Sequence, residues 1–472
     1  MMPETQHLAA TQPDPDHTEV TGRVVTPVSA SPKRKTVFLI LLAAFLVNAA
    51  IVLVGLPSVA RRMAPEYNLG WGDLYNLIAR NLDQGNGYRV VPGMSKTMLR
   101  EPGYPLLLAA VFEFGGYGIQ QARAACVILA FGAALMLLRL TRKITGDVTT
   151  AMVAALLFLL YPGILVDEAH AGVEIPCVFT VMLFMLALHD AVKKGSLWRY
   201  GAAGLLLGVA VMVRSEVLLF PVLLLGYLLF NARDWAERRK AALRTAVVVL
   251  GSVAVMSPWI IRNYILVHEL VPSATVAGVA AQEGLYTCEH ASPAEPFFVA
   301  QTAAGLERVR IARRLGIPFV GPYYQLFYTP QGELEFDRAL LKGVSDQYRS
   351  HPRLLAACGA KNFFFNFWFL GKTPRSVELN MLLQAPLLLL ALAGVVILWK
   401  KNVLRNAAIV LLYILYIPAI QAPIIAHARH STMVVPFVTI FAAAFLVWAL
   451  RELQAWRKEL EVGEPPAQTT DH

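Results

Sequence analysis

Ten apolar stretches punctuate the chain, at residues 37–57, 120–138, 149–166, 173–191, 198–213, 217–231, 245–261, 381–399, 407–425 and 431–450. Most come close to the ~20 residues that an α-helix needs to cross a ~30 Å hydrocarbon core. The stretches 198–213 and 217–231 are short for that task. An eleventh, at residues 104–114, is shorter still and reads as a helix lying flat at the membrane surface. Each long run is apolar all round, as a lipid-embedded helix must be. The expected fold is therefore an all-α polytopic membrane protein of about ten transmembrane helices.

Basic residues give the direction of the spans. Six clusters fall on every alternate loop or terminus: 33–35, 139–143, 193–199, 233–244, 400–405 and 451–458. The short loops between them hold at most one Lys or Arg, such as Arg214 and Arg429. This is the positive-inside pattern, with both termini cytoplasmic. Two longer segments then face outward. The first outer loop spans 58–119 and carries the interfacial helix. The second, 263–380, is polar enough to form a small, mainly helical cap, with helices at 334–347 and 354–366 and a loop at 316–331. The expected domain plan is a disordered tail at 1–36, a transmembrane module at 37–262, the cap at 263–380, C-terminal transmembrane helices at 381–450 and a tail at 451–472.

Composition agrees with the pattern. Of 472 residues, 56% are hydrophobic and 16% charged, against about 25% charged in a soluble domain. The formal net charge of +10 tracks the inner membrane surface, which argues against a nucleic-acid partner. Four Cys make no disulfide framework and match no zinc spacing. Cys126 and Cys177 fall in spans. Cys288 and Cys358 fall in the cap, where two free thiols are expected over a disulfide, because spacing alone does not establish proximity. Phe363, Phe364, Phe365, Phe367, Trp368 and Phe369 read as an aromatic anchor for the cap at the head groups.

Candidate chemistry gathers at the outer ends of the helices. Asp167, Glu168, His170 and Glu174 bracket one outer loop. Arg214 and Glu216 form another, and His427, Arg429 and His430 a third. Arg262 and Asn263 end the seventh span. Asp73, Tyr75, Arg100, Glu101 and Tyr104 lie on the first outer loop. Such charges also serve as anchors that snorkel into the head groups. Brought together, however, the arginines would suit a lipid-linked phosphate, because a planar guanidinium makes paired charge-assisted bonds to it. An acid beside them would take a proton from a hydroxyl. His427 and His430 lack a third clear ligand, so no metal site is assigned and no cofactor is expected, although a divalent ion stays open.

At this point the chain resembles a known family. Gly72-Asp73-Leu74-Tyr75, Gly85-Asn86-Gly87-Tyr88 and Arg100-Glu101-Pro102-Gly103-Tyr104-Pro105 resemble the first outer loop of bacterial GT-C glycosyltransferases. The group is the one related to protein O-mannosyltransferases and to the lipid A aminoarabinose transferase. Val213-Arg214-Ser215-Glu216, Ser257-Pro258-Trp259-Ile260-Ile261-Arg262-Asn263-Tyr264, His351-Pro352 and Ala428-Arg429-His430 extend the match. Two departures stand out: many relatives have Asp-Glu where this chain has Asp73-Leu74, and Lys-Pro-Pro where it has Glu101-Pro102-Gly103.

The resemblance implies a polyprenyl-phosphate-linked sugar as donor and transfer, usually with inversion, on the outer face of a bacterial cytoplasmic membrane. It implies Asp73 as the catalytic base and Arg100, Arg262, Arg429 and Arg214 as phosphate contacts. A second acid would be Asp167, Glu168 or Glu174, with Glu174 placed most as in relatives. Tyr75, Glu101, Tyr104, Asn263 and His430 complete the candidate substrate site. The acceptor stays open among proteins, lipid A and a cell-wall glycan. Two other classes compete: a transporter or flippase of a lipid-linked glycan, and a catalytically silent relative in envelope assembly. A transporter would place its charges near the bilayer midplane and show repeated halves. Here the charges gather at one edge and no repeat is visible.

Overall fold

A computed structural model describes residues 32–63, 73–292, 297–318 and 329–462. Most of the 1–36 tail, Trp71 and Gly72 of the first-loop motif, the middle of the 316–331 loop and the end of the C-terminal tail lie outside the described residues. The helices run α1 (Arg34–Arg62), α2 (Tyr75–Asp83), α3 (Gly103–Gly115), α4 (Ile119–Thr145), α5 (Val148–Leu159), α6 (Pro162–His170), α7 (Glu174–Lys194), α8 (Leu197–Val213), α9 (Phe220–Phe230) and α10 (Trp235–Val267). They continue as α11 (Ala277–His290), α12 (Phe297–Arg314), α13 (Pro330–Ser350), α14 (Pro352–Lys361), α15 (Pro374–Lys400), α16 (Leu404–Gln421) and α17 (Val435–Val462). Among the described residues there is no strand.

The chain is an all-helical, multi-pass membrane protein. Among the described residues, seven helices are long and apolar enough to cross a membrane, or eight if α5 and α6 count as one span. The apolar helices α8 and Ser215–Phe230, which contains α9, are shorter. At 17 residues, α8 reaches only about 25 Å. These helices account for the ten apolar stretches. One correction concerns the third stretch, expected as one continuous span. It bends by 48° between α5 and α6. Pro162 opens α6, because its ring cannot continue the α5 ladder.

Small residues bring α8 and α10 together. A Cβ on Gly208 would lie 2.7 Å from the Ser252 carbonyl oxygen, and one on Gly251 would lie 2.9 Å from that of Gly201. No larger side chain fits that seam, so the backbones meet closely as membrane helices do at glycines. Helix α3 covers the short apolar stretch at 104–114. It buries Tyr104, Leu108 and Phe112 and leaves Phe114 exposed.

The end of the bundle that carries the basic clusters is tied by surface pairs. Lys143 Nζ meets Asp190 Oδ1 at 2.6 Å and Arg451 Nη2 meets Asp147 Oδ2 at 3.1 Å. Lys193 Nζ donates to Asn406 Oδ1 at 2.5 Å. The cap, α11 to α14, has small cores of its own. One contains Ala281, Leu285, Val344, Tyr348 and Cys358; another contains Ala312, Phe336 and Leu340. Arg308 is buried in the cap and pairs with Glu283 at 2.7 Å. The second correction lies here: Cys288 and Cys358 form a disulfide across 70 residues. They meet because α11 and α14 both pack on α13, an adjacency of folding that sequence spacing does not display.

Candidate active site

Six charged side chains meet at the other end of the bundle, below the cap. The 3₁₀ turn Ala428–Met433 positions Arg429. Its N-terminus is fixed by the Ala428 N–H donating to the Leu370 carbonyl at 2.9 Å. Farther along the turn, the Ser431 hydroxyl donates to Gln384 Oε1 at 3.0 Å and the Thr432 hydroxyl donates to Asp167. Arg429 Nη2 donates to Asp73 Oδ2 at 2.6 Å and to Glu174 Oε2 at 3.2 Å. Its Nε meets Glu174 Oε1 at 2.6 Å. The guanidinium thus forks onto one carboxylate and reaches a second.

Glu174 is the first residue of α7, where the helix dipole favours an acid. Its side chain is 1% exposed and also accepts from Arg214 Nη1 at 3.1 Å. Arg214, in the extended link after α8, also donates to Glu216, whose carbonyl accepts from the Tyr416 hydroxyl at 2.6 Å. Asp73–Arg429–Glu174–Arg214–Glu216 is therefore one continuous chain of alternating charge. Such buried pairs hold together only when every charge is met, because desolvation otherwise exceeds the Coulomb gain.

The first outer loop supplies the open end of that chain. Asp73 and Leu74 both have φ of 67°, a left-handed conformation that costs ~1–2 kcal/mol for a non-glycine residue. Arg100 holds the strained turn: its Nε donates to the Asp73 carbonyl at 3.0 Å and its Nη2 lies 3.8 Å from Asp73 Oδ1. The same guanidinium lies over the Tyr75 ring at 5.3 Å. Strain of this kind concentrates at functional sites. Asp73 and Arg429 keep 29% and 28% exposure, so this pair, unlike Glu174, can be reached from outside. Burial pushes the Asp73 carboxyl up, but Arg429 and Arg100 outweigh it and hold it well below the usual range.

The remaining candidates divide. Glu101 accepts from the Ser215 N–H at 3.2 Å, Tyr104 donates to the Ala171 carbonyl at 2.5 Å, and Asp167 accepts from Thr432. All three border the cluster. His430 stacks on His427 with ring centroids 4.3 Å apart. Burial, then Arg429 and Lys372, bring the His427 imidazole down to about 3, so both its neighbours and its surroundings favour a neutral ring. Glu168 lies elsewhere: it accepts from Asn48 at 3.0 Å. Arg262 and Asn263 form a separate node. Arg262 stacks over Trp259 at 4.4 Å and Tyr88 at 5.2 Å and donates to Asn263 Oδ1 at 2.8 Å.

Three groups at the cluster were not among the expected site residues. Glu216 and His427 read in sequence as loop-end charges. Lys372 gives no motif; its side chain is exposed in the turn after Leu370, where partial desolvation and then Arg429 lower its amine. Among the described residues, no group of three or more His, Cys, Asp or Glu side chains is arranged to hold a metal ion.

Residues 99–261 match the family described as dolichyl-phosphate-mannose-protein mannosyltransferase. No curated protein matches the chain in sequence at a significant level. The archaeal oligosaccharyltransferase AglB of Archaeoglobus fulgidus, solved with an inhibitory peptide and a dolichol-phosphate, is 14% identical over 91% of this chain and 52% of its own, with a TM-score of 0.53. The same archaeal enzyme tethered to an acceptor peptide gives 14% identity over 90% and 51%, with a TM-score of 0.54. ArnT of Cupriavidus metallidurans bound to undecaprenyl phosphate is 15% identical over 87% and 77%, at a TM-score of 0.38. This chain spans about half the length of the archaeal enzyme. The chain is thus similar over residues 99–261 to the mannosyltransferase family and similar in fold to the archaeal enzyme.

Proposed function

We propose that the protein transfers a sugar, a hexose or pentose, from a polyprenyl-phosphate donor to an acceptor hydroxyl on the outer face of the cytoplasmic membrane. The observation that carries this reading is the reachable Asp73–Arg429 pair at the end of an otherwise buried charge chain. The dolichol-phosphate bound by the archaeal structure of the same fold supports a lipid phosphate as ligand. Both termini are cytoplasmic in this reading. The Cys288–Cys358 disulfide supports a cap on the oxidising side.

The donor phosphate would meet Arg429, Arg214 and Arg100, with Lys372 at hand. An anion that draws Arg429 toward itself leaves Asp73 with less positive charge beside it, so the carboxylate becomes a better base. Asp73 would then accept the proton of the acceptor hydroxyl as its oxygen bonds to the anomeric carbon. The bond from that carbon to the phosphate oxygen breaks, and its electron pair leaves on the polyprenyl phosphate. Attack opposite the leaving group inverts the centre. The arginines stabilise the growing negative charge. Glu174 orients Arg429 and Arg214, and Tyr75, Glu101 and Tyr104 shape the loop around them.

The test is Asp73→Asn in the full chain, with mass analysis of envelope glycans and glycoproteins from cells carrying wild type, the variant or neither. Loss of one sugar in both the variant and the null strain, with normal membrane insertion of the variant, is the expected result. A full set of sugars in the Asn variant removes Asp73 from the mechanism.

A further inference from the structure

The cap touches the first outer loop through one buried carboxyl. Glu333, in the first turn of α13, is 3% exposed. Its Oε2 accepts from the Thr97 hydroxyl at 2.7 Å and its Oε1 from the Met98 N–H at 2.9 Å. The Thr275 hydroxyl, on the link between α10 and α11, donates to the same Oε1. The Thr275 N–H returns to the Met98 carbonyl at 3.0 Å. Met98 is itself buried against Val267, Val271 and Leu334. Thus α13, the link and the loop share one carboxyl.

The consequence lies two residues farther along. The segment from Thr97 to Glu101 is a strap that bends at Leu99 and Arg100, with no helix to define its register. Thr97 is fixed by its N–H donating to the Tyr88 carbonyl at 3.1 Å, and the Leu99 N–H donates to the Thr97 hydroxyl at 3.0 Å. The Tyr88 hydroxyl donates to the carbonyls of Arg100 at 2.9 Å and Glu101 at 3.1 Å. Arg262 lies over that Tyr88 ring. From this strap Arg100 reaches Asp73 and Glu101 reaches Ser215. An apolar residue at 333 would bury as well and need no partners. A carboxyl that takes up the Thr97 hydroxyl and Met98 N–H instead fixes which residues of the strap face the charged site.

We propose that Glu333 is a positioning residue, through which the docked cap holds residues 97–101 and so keeps Arg100 against Asp73. This rests on the reading of the cluster as a lipid-phosphate site. The geometry assigns Glu333 no contact with substrate; it acts through the strap.

The test uses the full chain in detergent with undecaprenyl phosphate as the binding probe. Glu333→Ala weakens binding ~10-fold, as does Arg100→Ala, and the double variant is no weaker than Arg100→Ala by more than ~2-fold, because coupled residues are not additive. Glu333→Gln keeps an acceptor and a donor in place and restores most of the affinity. Thr97→Val, which removes only a hydroxyl, shows a smaller loss in the same direction. Independent losses that multiply in the double variant, or an unchanged affinity in Glu333→Ala, overturn the proposal. Arg100→Ala and Arg429→Ala both binding as wild type would instead remove the phosphate reading. Hydrogen exchange then decides the strap by itself. Faster exchange in Glu333→Ala at the amides of Met98, Leu99 and Leu74 supports it, and a change confined to the cap overturns it.

Discussion

Both ends of the helix bundle are laced with ion pairs, yet the pairs do different work. At the basic end, Lys143 and Asp190 are 40% and 33% exposed. Each charge can be hydrated without its partner, and such pairs contribute ~0–1 kcal/mol. At the cap end, Glu174 is buried and touches two arginines drawn from elements far apart in sequence. There, removing one partner strands a charge in a dry place. The first arrangement belongs to the end that carries the basic clusters. The second is a network of charges that already neutralise one another.

Arg429→Ala should break this contrast most severely. It takes away one of the two arginines that meet Glu174 and leaves Asp73 to Arg100, so the loss of stability in detergent should reach up to ~3–5 kcal/mol, with Arg429→Lys recovering part of it. A loss under ~1 kcal/mol in thermal unfolding would mean the cap-end network is no more buried than the basic end.

A middle effect concerns pH. Burial outweighs the hydrogen bonds from Thr275, Thr97 and Met98 and the charge of Arg262, and raises the Glu333 carboxyl to about 7 from the ordinary 4.5. The folded form binds its proton more tightly, so the stability this group contributes is full below the ordinary value and is lost as pH rises through about 7. Between pH 6 and 8.5, melting temperature should therefore fall more in wild type than in Glu333→Gln. Equal slopes would mean that Glu333 is ionised throughout that range. The smallest effect is at the basic end: Lys143→Ala should shift stability by less than ~1 kcal/mol and respond to added salt. A larger, salt-independent loss would erase the distinction between the two ends.

Much of the frame was legible in the residues, because a span must be apolar for its whole length and basic loops alternate with it. The outer-end charges were legible for a related reason: they stand out at the edges of apolar runs. That is how Glu174, Arg214 and Arg429 could be named, whereas Asp73, well inside the first outer loop, stood out through the resemblance of Gly72-Asp73-Leu74-Tyr75. What stayed hidden depends on tertiary contact. Cys288 and Cys358 carry no spacing signal, and their pairing follows from two helices packing on a third. Glu333 is one acid in an amphipathic helix that is rich in charge, with nothing to mark it as buried. Lys372 sits in a short turn whose nearness to Arg429 comes from the bond between Ala428 and Leu370. Arg262 read as a phosphate contact because of its motif, whereas its guanidinium is stacked on Trp259 and Tyr88.

The paired left-handed residues at Asp73 and Leu74 bear on how the acid can be interrogated. Asparagine visits that backbone region readily, while alanine does not. Swapping in asparagine therefore removes the negative charge and leaves the bend intact. Alanine at the same place would disturb chain path and chemistry together, so a dead alanine enzyme would say little about proton transfer.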